Sequence, residues 1–136
     1  MKETSAGAVI FRKEDGKRLY LLLHYGVGHW DFVKGHVEGK ETEEQTMRRE
    51  AAEETGLADL QVIADFREVI SYFYTVKGKR IAKDVIFLLA ETKTKTIKIS
   101  FEHSGFVWLA FEEALKKITY DNSKAVLTKA EQFLAR

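Results

Sequence analysis

The segment GHVEGKETEEQTMRREAAEETGL, residues 35–57, combines a clear helix signal with an unusual placement of negative charge. Thr42 and Gln45 stand three residues apart, as in a capping box, and Gly56 follows a run of strong helix formers. We therefore predict a helix that begins after Thr42 and ends near Gly56.

This predicted helix carries three clustered glutamates, because Glu53 and Glu54 follow Glu50 by three and four residues. Residues at these spacings share one helix face, so their carboxylates repel one another. A hard divalent cation, Mg²⁺ or Mn²⁺, relieves the repulsion and keeps positions free for water and phosphate oxygens. Arg49 follows Glu41 by eight residues and suits a bidentate pair with it. A solvated helix face is the alternative explanation of clustered glutamates considered alone.

The whole chain has the composition of one globular domain, which we assign to residues 1–136. Its 22 Lys and Arg balance 21 Asp and Glu, so no charge footprint for duplex DNA is present. The absence of Cys excludes a disulfide framework, a thiol nucleophile and a Cys-ligated metal. No apolar stretch has the length of a membrane span and the amino terminus lacks a signal-peptide pattern, so we expect a cytoplasmic protein without a membrane partner.

Several segments outside the acidic helix have the composition of β-strands. Residues 6–12 and 18–25 flank an Asp-Gly turn and indicate a hairpin. Residues 84–92 are almost continuously apolar, which is typical of a strand buried on both faces. The other candidate strands are residues 60–76, as one or two strands, 96–100 and 105–110.

The carboxy-terminal part of the chain predicts two more helices, residues 111–118 and 121–134. Asp121 or Asn122 is the expected cap of the second helix. The fold class that follows is α/β (α+β), a mixed β-sheet with helices packed on its faces. The residues expected on the apolar side of the last helix are Ala125, Leu127, Ala130, Phe133 and Leu134.

The spacing of the acidic segment resembles a known motif, the Nudix box, G-x₅-E-x₇-R-E-U-x-E-E-x-G-U, where U is a bulky aliphatic residue in most members. Ala51 occupies the first U position, a substitution that the family tolerates. The chain is therefore similar to the Nudix hydrolases along most of its length. The matching positions are Gly35, Glu41, Arg49, Glu50, Ala51, Glu53, Glu54, Gly56 and Leu57.

This resemblance implies a Nudix fold, with a mixed β-sheet sandwiched between α-helices. It also implies cleavage of a nucleoside diphosphate linked to another group, with Mg²⁺ or Mn²⁺ as cofactor. The site residues implied are Glu50, Glu53 and Glu54 as metal ligands, the carbonyl of Gly35 as a further ligand, and Arg49 with Glu41 as the pair that holds the loop of the box to its helix.

A general base must also accept the proton of the attacking water. Glu53 and Glu54 are candidates within the box. Nudix enzymes often use a carboxylate from elsewhere, and Glu102, just before a predicted strand, is the candidate of that kind. Its neighbour His103 is expected either to orient Glu102 or to act as the base itself.

Outside the box, the chain resembles the asymmetric diadenosine tetraphosphate hydrolases, the bis(5′-nucleosyl)-tetraphosphatases. The stretch WDFVKGH, residues 30–36, is similar to their W-x-x-P-K-G-H pattern, although Val33 stands where proline is usual. The resemblance implies a substrate that is a dinucleoside polyphosphate or a related nucleotide. The substrate-binding residues that it implies are Lys34, His36 and Lys83 at the phosphates, Tyr72 near the adenine, and Trp30.

Other functions remain open from the sequence. Within the enzymes, the alternatives are a hydrolase of a damaged nucleoside triphosphate, a nucleotide sugar or a 5′-triphosphate RNA. Outside them, the alternative is a Nudix module that senses a nucleotide without cleaving it, which the retained Glu50, Glu53 and Glu54 disfavour. We expect a monomer or a weak homodimer.

Overall fold

The computed structural model describes residues 2–100 and 103–136. In this part of the chain, eight strands form one mixed sheet and three helices pack beside it. The elements in chain order are β1 (Lys2–Glu14), β2 (Lys17–Tyr25), β3 (His29–Asp31), β4 (Val33–His36), α1 (Glu43–Thr55), β5 (Gln61–Val62), β6 (Glu68–Val76), β7 (Lys79–Glu91), β8 (His103–Leu109), α2 (Phe111–Lys117) and α3 (Asp121–Leu134).

The long strand β1 organises the sheet, because it pairs with three other strands. It runs parallel to β7 and antiparallel to β2 and β4. The β1–β2 pairing confirms the predicted hairpin, and Asp15 and Gly16 at its turn both have positive φ. Strand β8 pairs with β2, whereas β5 and β6 both pair with β7, so residues 60–76 form two strands.

The two faces of the sheet bury two separate apolar layers. Ala8 and Ile10 of β1 point into a layer with α1, whereas Val9 and Phe11 point into a layer with α2 and α3. Strand β7 alternates in the same way and is buried on both faces over residues 85–90. These two layers confirm the predicted mixed sheet between helices.

Helix α1 has the predicted ends. The Thr42 side chain accepts a hydrogen bond from the Gln45 amide at 3.1 Å, and the Gln45 side chain accepts one from the Thr42 amide at 2.8 Å. Gly56 closes the helix with φ 77°, which a glycine adopts without strain. Met47 and Ala51 are fully buried against the sheet, and Glu54 is buried with them, whereas the other charged residues of α1 remain at least partly exposed.

The predicted strand at residues 96–100 is wrong, because amides of this segment hydrogen-bond to the end of α1 and the segment joins no sheet. The Lys98 amide donates to the Thr55 carbonyl at 2.9 Å, and the Ser100 amide donates to the Glu54 carbonyl at 3.2 Å. Carbonyls in the last turn of a helix have no partner within the helix, and these amides satisfy two of them. Ile97 is buried in the same layer as α1 and fixes the segment there.

Helix α3 spans the predicted residues 121–134, but its cap differs from the prediction. Its N-cap is Tyr120, which makes no side-chain cap hydrogen bond, and Asp121 and Asn122 lie inside the helix with exposed side chains. Ala125 is exposed, and the neighbouring Val126 is buried instead. No helix among residues 2–100 and 103–136 is long and apolar enough to span a membrane.

Candidate active site

The site begins where β4 passes α1. Gly35 pairs with Ala6 of β1, which places the Gly35 backbone directly against Glu50 of the helix. A Cβ atom at Gly35 would lie 2.0 Å from the Glu50 carboxyl carbon and 2.1 and 2.4 Å from its two oxygens. A glycine is therefore required here, because the Glu50 carboxylate occupies the space of a side chain.

Arg49 connects the loop before α1 to the helix. Its guanidinium donates twice to Glu41, at 2.8 and 3.1 Å, which is the predicted bidentate pair. It also donates to the His36 carbonyl at 2.9 Å, to Glu50 at 3.0 Å and to Glu53 at 3.3 Å. The hydrogen bonds from Arg49, together with one from the Glu38 amide, lower the pKa of Glu41 to about 2. The hydrogen bond to Glu41 in turn raises the pKa of Arg49, so the pair stays charged.

Glu54 lies in a different environment from the other two glutamates. Its side chain is 6% exposed, compared with 16% for Glu50 and 59% for Glu53. Its Oε1 atom lies 3.1 Å from Nε2 of His103 and 3.3 Å from the Tyr25 hydroxyl. Burial, followed by the negative charge of Glu54, raises the pKa of the Tyr25 phenol, so this hydroxyl remains a donor.

His103 contacts the segment of residues 96–100, which hydrogen-bonds to the end of α1. Its Nδ1 atom lies 3.1 Å from the Ser100 hydroxyl, and its ring meets the Tyr25 ring edge-on at 4.5 Å between centroids. His103 thus contacts Glu54 in the structure. Glu102, the candidate base beside it, lies outside the described residues.

This face of α1 offers carboxylate oxygens as ligands, and a hard cation such as Mg²⁺ or Mn²⁺ prefers oxygen ligands. The Gly35 cradle holds the Glu50 carboxylate beside the β4 backbone, and Glu53 is exposed enough to rotate toward it. Among the described residues, no three acidic or histidine side chains already converge on one point. A cation shared by all three glutamates therefore requires carboxylates to rotate from these positions, in which Arg49 donates to both Glu50 and Glu53.

Two adjoining cavities lie near the end of β3 and the start of α3, and Tyr25, whose hydroxyl lies 3.3 Å from Glu54, lines the second of them. The first has a volume of about 260 Å³ and is lined by Tyr72, Tyr120 and Ile70, with Asn122 and Ser123 at the start of α3. The second has a volume of about 290 Å³ and is lined by Tyr25, Gly26 and His29. Both share a wall made by Asp31, Lys34 and Tyr120.

Lys34 stands at the junction of the two cavities. Its ammonium pairs with the buried Asp31 carboxylate at 3.0 Å, and a quarter of its side chain remains exposed. Lys83 lies opposite Tyr72 in the β6–β7 ladder. Burial and the positive charge of Lys34 lower the pKa of Lys83, although Glu3 partly opposes this. The wall of the first cavity therefore combines aromatic rings with positive charge.

Three of the expected substrate residues do not line the two cavities: Trp30, His36 and Lys83. The Trp30 ring is stacked on His24 at 4.5 Å between centroids, and the Lys117 ammonium lies 4.4 Å from its centroid. Its faces are therefore occupied by protein side chains. His36 has an exposed side chain at the end of β4 and contributes its carbonyl to Arg49.

Two residues of the site were missed by the sequence interpretation. Tyr120 follows α2 in a short connection, where neither helical nor strand periodicity marks it as a cavity residue. Asp31 was hidden for a similar reason, because a lone aspartate in a short extended segment has no distinguishing pattern.

The fold and this helix–loop arrangement define a family. The NUDIX domain family matches residues 1–130, and the chain belongs to it. Two curated relatives with more specific names are similar over almost the whole chain. The bis(5′-nucleosyl)-tetraphosphatase [asymmetrical] of Sus scrofa is 36% identical over 142 aligned positions, which cover 96% of this chain and 94% of the relative. The enzyme of the same name from Caenorhabditis elegans is 37% identical, with 96% of each chain covered.

A solved structure agrees with this placement. The crystal structure of a C. elegans Ap4A hydrolase binary complex superposes with a TM-score of 0.81 at 33% identity and covers 98% of both chains. The Nudix identification and the mixed α+β fold, both predicted from the sequence, are confirmed. Divalent metal use is general in this family of hydrolases.

Proposed function

We propose that this protein hydrolyses diadenosine tetraphosphate to ATP and AMP. The observation that carries the proposal is the aromatic cavity at Lys34, because the next residue of β4, Gly35, lies directly against the Glu50 carboxylate of α1. An aromatic cavity suits a purine, a lysine suits phosphate, and clustered carboxylates suit a divalent cation. Similarity over 96% of the chain to enzymes named for this reaction supports the same substrate.

In this proposal, Glu50, Glu53 and Glu54 hold Mg²⁺ or Mn²⁺, with the Gly35 carbonyl as a further ligand. The cation, when bound, neutralises phosphate charge and lowers the pKa of a water. Arg49 supports the ligands in two ways. Its hydrogen bonds to Glu41 and the His36 carbonyl fix the loop against α1, and those to Glu50 and Glu53 hold two of the carboxylates directly. His103 and Tyr25 orient the Glu54 carboxylate from behind.

The substrate lies across the two cavities in the proposed complex. The purine occupies the cavity of Tyr72 and Tyr120, where a flat ring stacks on aromatic side chains. The phosphates continue past Lys34 toward α1, with Lys83 and His36 as further donors. The occupied faces of Trp30 make it a support of β3 in this arrangement.

Hydrolysis itself requires a base. Attack of water at a phosphorus forms a bond to the water oxygen, breaks the bridging P–O bond, and transfers the water proton to a carboxylate. We assign this role to Glu102, with Glu53 and Glu54 as the other candidates. Glu54 already contacts His103 and Tyr25, which favours it as a ligand.

A turnover screen tests the proposal. The protein is incubated with Mg²⁺ or Mn²⁺ and with diadenosine tetraphosphate, nucleoside triphosphates, nucleotide sugars and 5′-triphosphate RNA, and products are separated by anion-exchange chromatography. We expect the highest kcat/KM for diadenosine tetraphosphate, with ATP and AMP in equal amounts. Faster cleavage of another compound would contradict the substrate, and no release from any of them would support a sensing module.

Three further properties belong to the same proposal: a single domain over residues 1–136, a monomer or weak homodimer, and a cytoplasmic location. Light scattering after size exclusion at several concentrations measures the assembly state. Fractionation of the source cells measures the location.

A further inference from the structure

The wall residue Tyr120 is fixed by contacts outside its own helix. It is the N-cap of α3, makes no side-chain cap hydrogen bond, and its side chain is 47% exposed. An exposed tyrosine in a short connection samples several orientations unless neighbouring groups restrict it. The orientation of the Tyr120 ring therefore depends on its contacts and on those of its neighbours in the chain.

Thr119, the preceding residue, joins the connection between α2 and α3 to the β2–β3 hairpin through three hydrogen bonds. The Trp30 amide donates to the Thr119 hydroxyl oxygen at 2.8 Å, and the Thr119 amide donates to the Trp30 carbonyl at 3.1 Å. The Thr119 hydroxyl donates to the Gly28 carbonyl at 3.3 Å. One small side chain thus both accepts from and donates to the β2–β3 hairpin.

Lys117 and Tyr120, which lie before and after Thr119 in the chain, contact the same hairpin. Lys117 lies over the ring of Trp30. The Tyr120 ring is parallel to that of His29, with 8° between the planes and 5.5 Å between centroids, and its hydroxyl lies 3.2 Å from His29 Nδ1. The α2–α3 connection and β3 therefore form a continuous seam, defined here as Lys117, Thr119 and Tyr120 against Gly28–Trp30.

We propose that Thr119 is a positioning residue, whose hydroxyl holds the Tyr120 ring in place as a wall of the nucleoside cavity. The inference rests on the proposed function, because it takes the base to bind beside Tyr120. A preformed wall avoids the ordering cost that a mobile ring would add to binding. The effect of Thr119 is therefore on affinity for the nucleotide and leaves the chemical step unchanged.

Thr119→Val tests this role, because valine keeps the size of threonine and removes only the hydroxyl. We expect KM for diadenosine tetraphosphate to rise about three- to fivefold, the equivalent of weakened exposed hydrogen bonds, with kcat unchanged. The Kd of ATP in EDTA, measured by calorimetry, should rise by the same factor, which makes the test independent of turnover. Thr119→Ser keeps the hydroxyl and should restore both values.

Thr128→Val is the matched control, because the Thr128 hydroxyl bonds to the Lys124 carbonyl within α3. It should leave KM and the Kd of ATP unchanged even if it lowers Tm. A rise of KM in Thr128→Val equal to that in Thr119→Val would overturn the positioning role. So would a Thr119→Ser variant that behaves like Thr119→Val.

Tyr120→Ala separates this inference from the proposed function. We expect Tyr120→Ala to raise the Kd of ATP about tenfold, and Thr119→Val to add nothing further in that background. If Tyr120→Ala weakens binding and Thr119→Val does not, the positioning role alone is overturned. An unchanged Kd in Tyr120→Ala would overturn the nucleoside site and the positioning role together.

Discussion

Gly35 has the most restricted environment of any single residue in the site. Its Cα faces the carboxyl group of Glu50 at a distance where no side chain fits. The neighbouring β1–β4 ladder holds the glycine from the other side, since Gly35 pairs with Ala6. An added methyl group would displace the end of the Glu50 side chain, so the position of this carboxylate depends on the glycine.

We predict that Gly35→Ala lowers metal affinity and kcat together. The added Cβ would lie within 2.4 Å of all three carboxyl atoms of Glu50 and must displace the group. A hydrogen-bonded or ligating carboxylate that is displaced typically costs one to two orders of magnitude in metal affinity, about 10–100-fold. The free Mn²⁺ signal in electron paramagnetic resonance measures the affinity, and initial rates at saturating Mn²⁺ measure kcat.

Two further variants serve as controls for Gly35→Ala. Gly105→Ala adds a methyl group whose nearest neighbour is 3.8 Å away, so it should retain metal binding and activity. Glu54→Gln removes one charge at nearly constant volume and sets the loss that one missing ligand produces. Wild-type Mn²⁺ affinity in Gly35→Ala would contradict the assignment of Glu50 as a ligand.

At this scale the sequence predicts residue pairs better than residue environments. The eight-residue spacing led to the Arg49–Glu41 pair, which the structure shows as bidentate. The three- and four-residue spacing placed the glutamates on one helix. It did not separate the buried Glu54 from the exposed Glu53, because burial depends on His103, which is distant in sequence and close in space.

Helix α1 and the loop before it act as one element because Arg49 joins them. Glu41 lies in the loop, and its pKa of about 2 results mainly from hydrogen bonds with Arg49. A carboxyl group with a depressed pKa in the folded state stabilises the fold above its ordinary pKa of 4.5. That contribution is lost as the pH falls from 4.5 toward 2.

We predict that Glu41→Gln lowers Tm at pH 7 and that this difference from wild type shrinks as the pH falls below 4.5. The physical reason is that protonation of Glu41 in the wild type removes the charge that the variant already lacks. Thermal unfolding followed by circular dichroism between pH 2 and pH 7 provides the measurement. Glu113→Gln, an exposed charge on α2, serves as the control and should show a Tm difference that varies little. Equal Tm differences at every pH would show that Glu41 is not the group responsible.

The elements themselves were largely predictable, and the exceptions share a cause. Capping residues and alternation depend on near neighbours in the chain, so α1 and the β1–β2 hairpin follow from local sequence. Residues 96–100 alternate like a strand, yet their amides bond to the end of α1. The partner of an extended segment is chosen by the tertiary structure, which local alternation does not specify.

Across the whole molecule, the sheet separates a catalytic layer that contains α1 from a supporting layer that contains α2 and α3, and the start of α3 reaches the proposed nucleoside cavity. Helix α1 carries the candidate ligands on one face, whereas α2 and α3 cover the other. A buried tyrosine of β2 links the sheet to α3. The Tyr20 hydroxyl donates to Glu131 at 2.5 Å, and Arg18 donates to the same carboxylate twice at 3.3 Å. Burial and the negative charge of Glu131 raise the pKa of Tyr20, which keeps the hydroxyl protonated.

This separation predicts a substitution that changes stability without changing catalysis. Tyr20→Phe removes the buried donor and leaves Glu131 paired with Arg18, so the free energy of unfolding should fall by about 1–2 kcal/mol. For a chain of this size, Tm should fall by roughly 3–8 °C. Thermal unfolding measures the loss, and kcat and KM for diadenosine tetraphosphate at 25 °C should equal those of the wild type.

Tyr74→Phe is the matched control, because it removes a tyrosine–carboxylate contact, with Glu3, at the edge strand β6. Solvent and mobile side chains replace such a contact easily, so Tm should change much less than in Tyr20→Phe. A loss of kcat in Tyr20→Phe at full folded population would show that α3 transmits its position to the catalytic layer. Equal losses of Tm in the two variants would show that burial of Tyr20 adds nothing to its bond with Glu131, and the supporting layer would then depend on apolar packing alone.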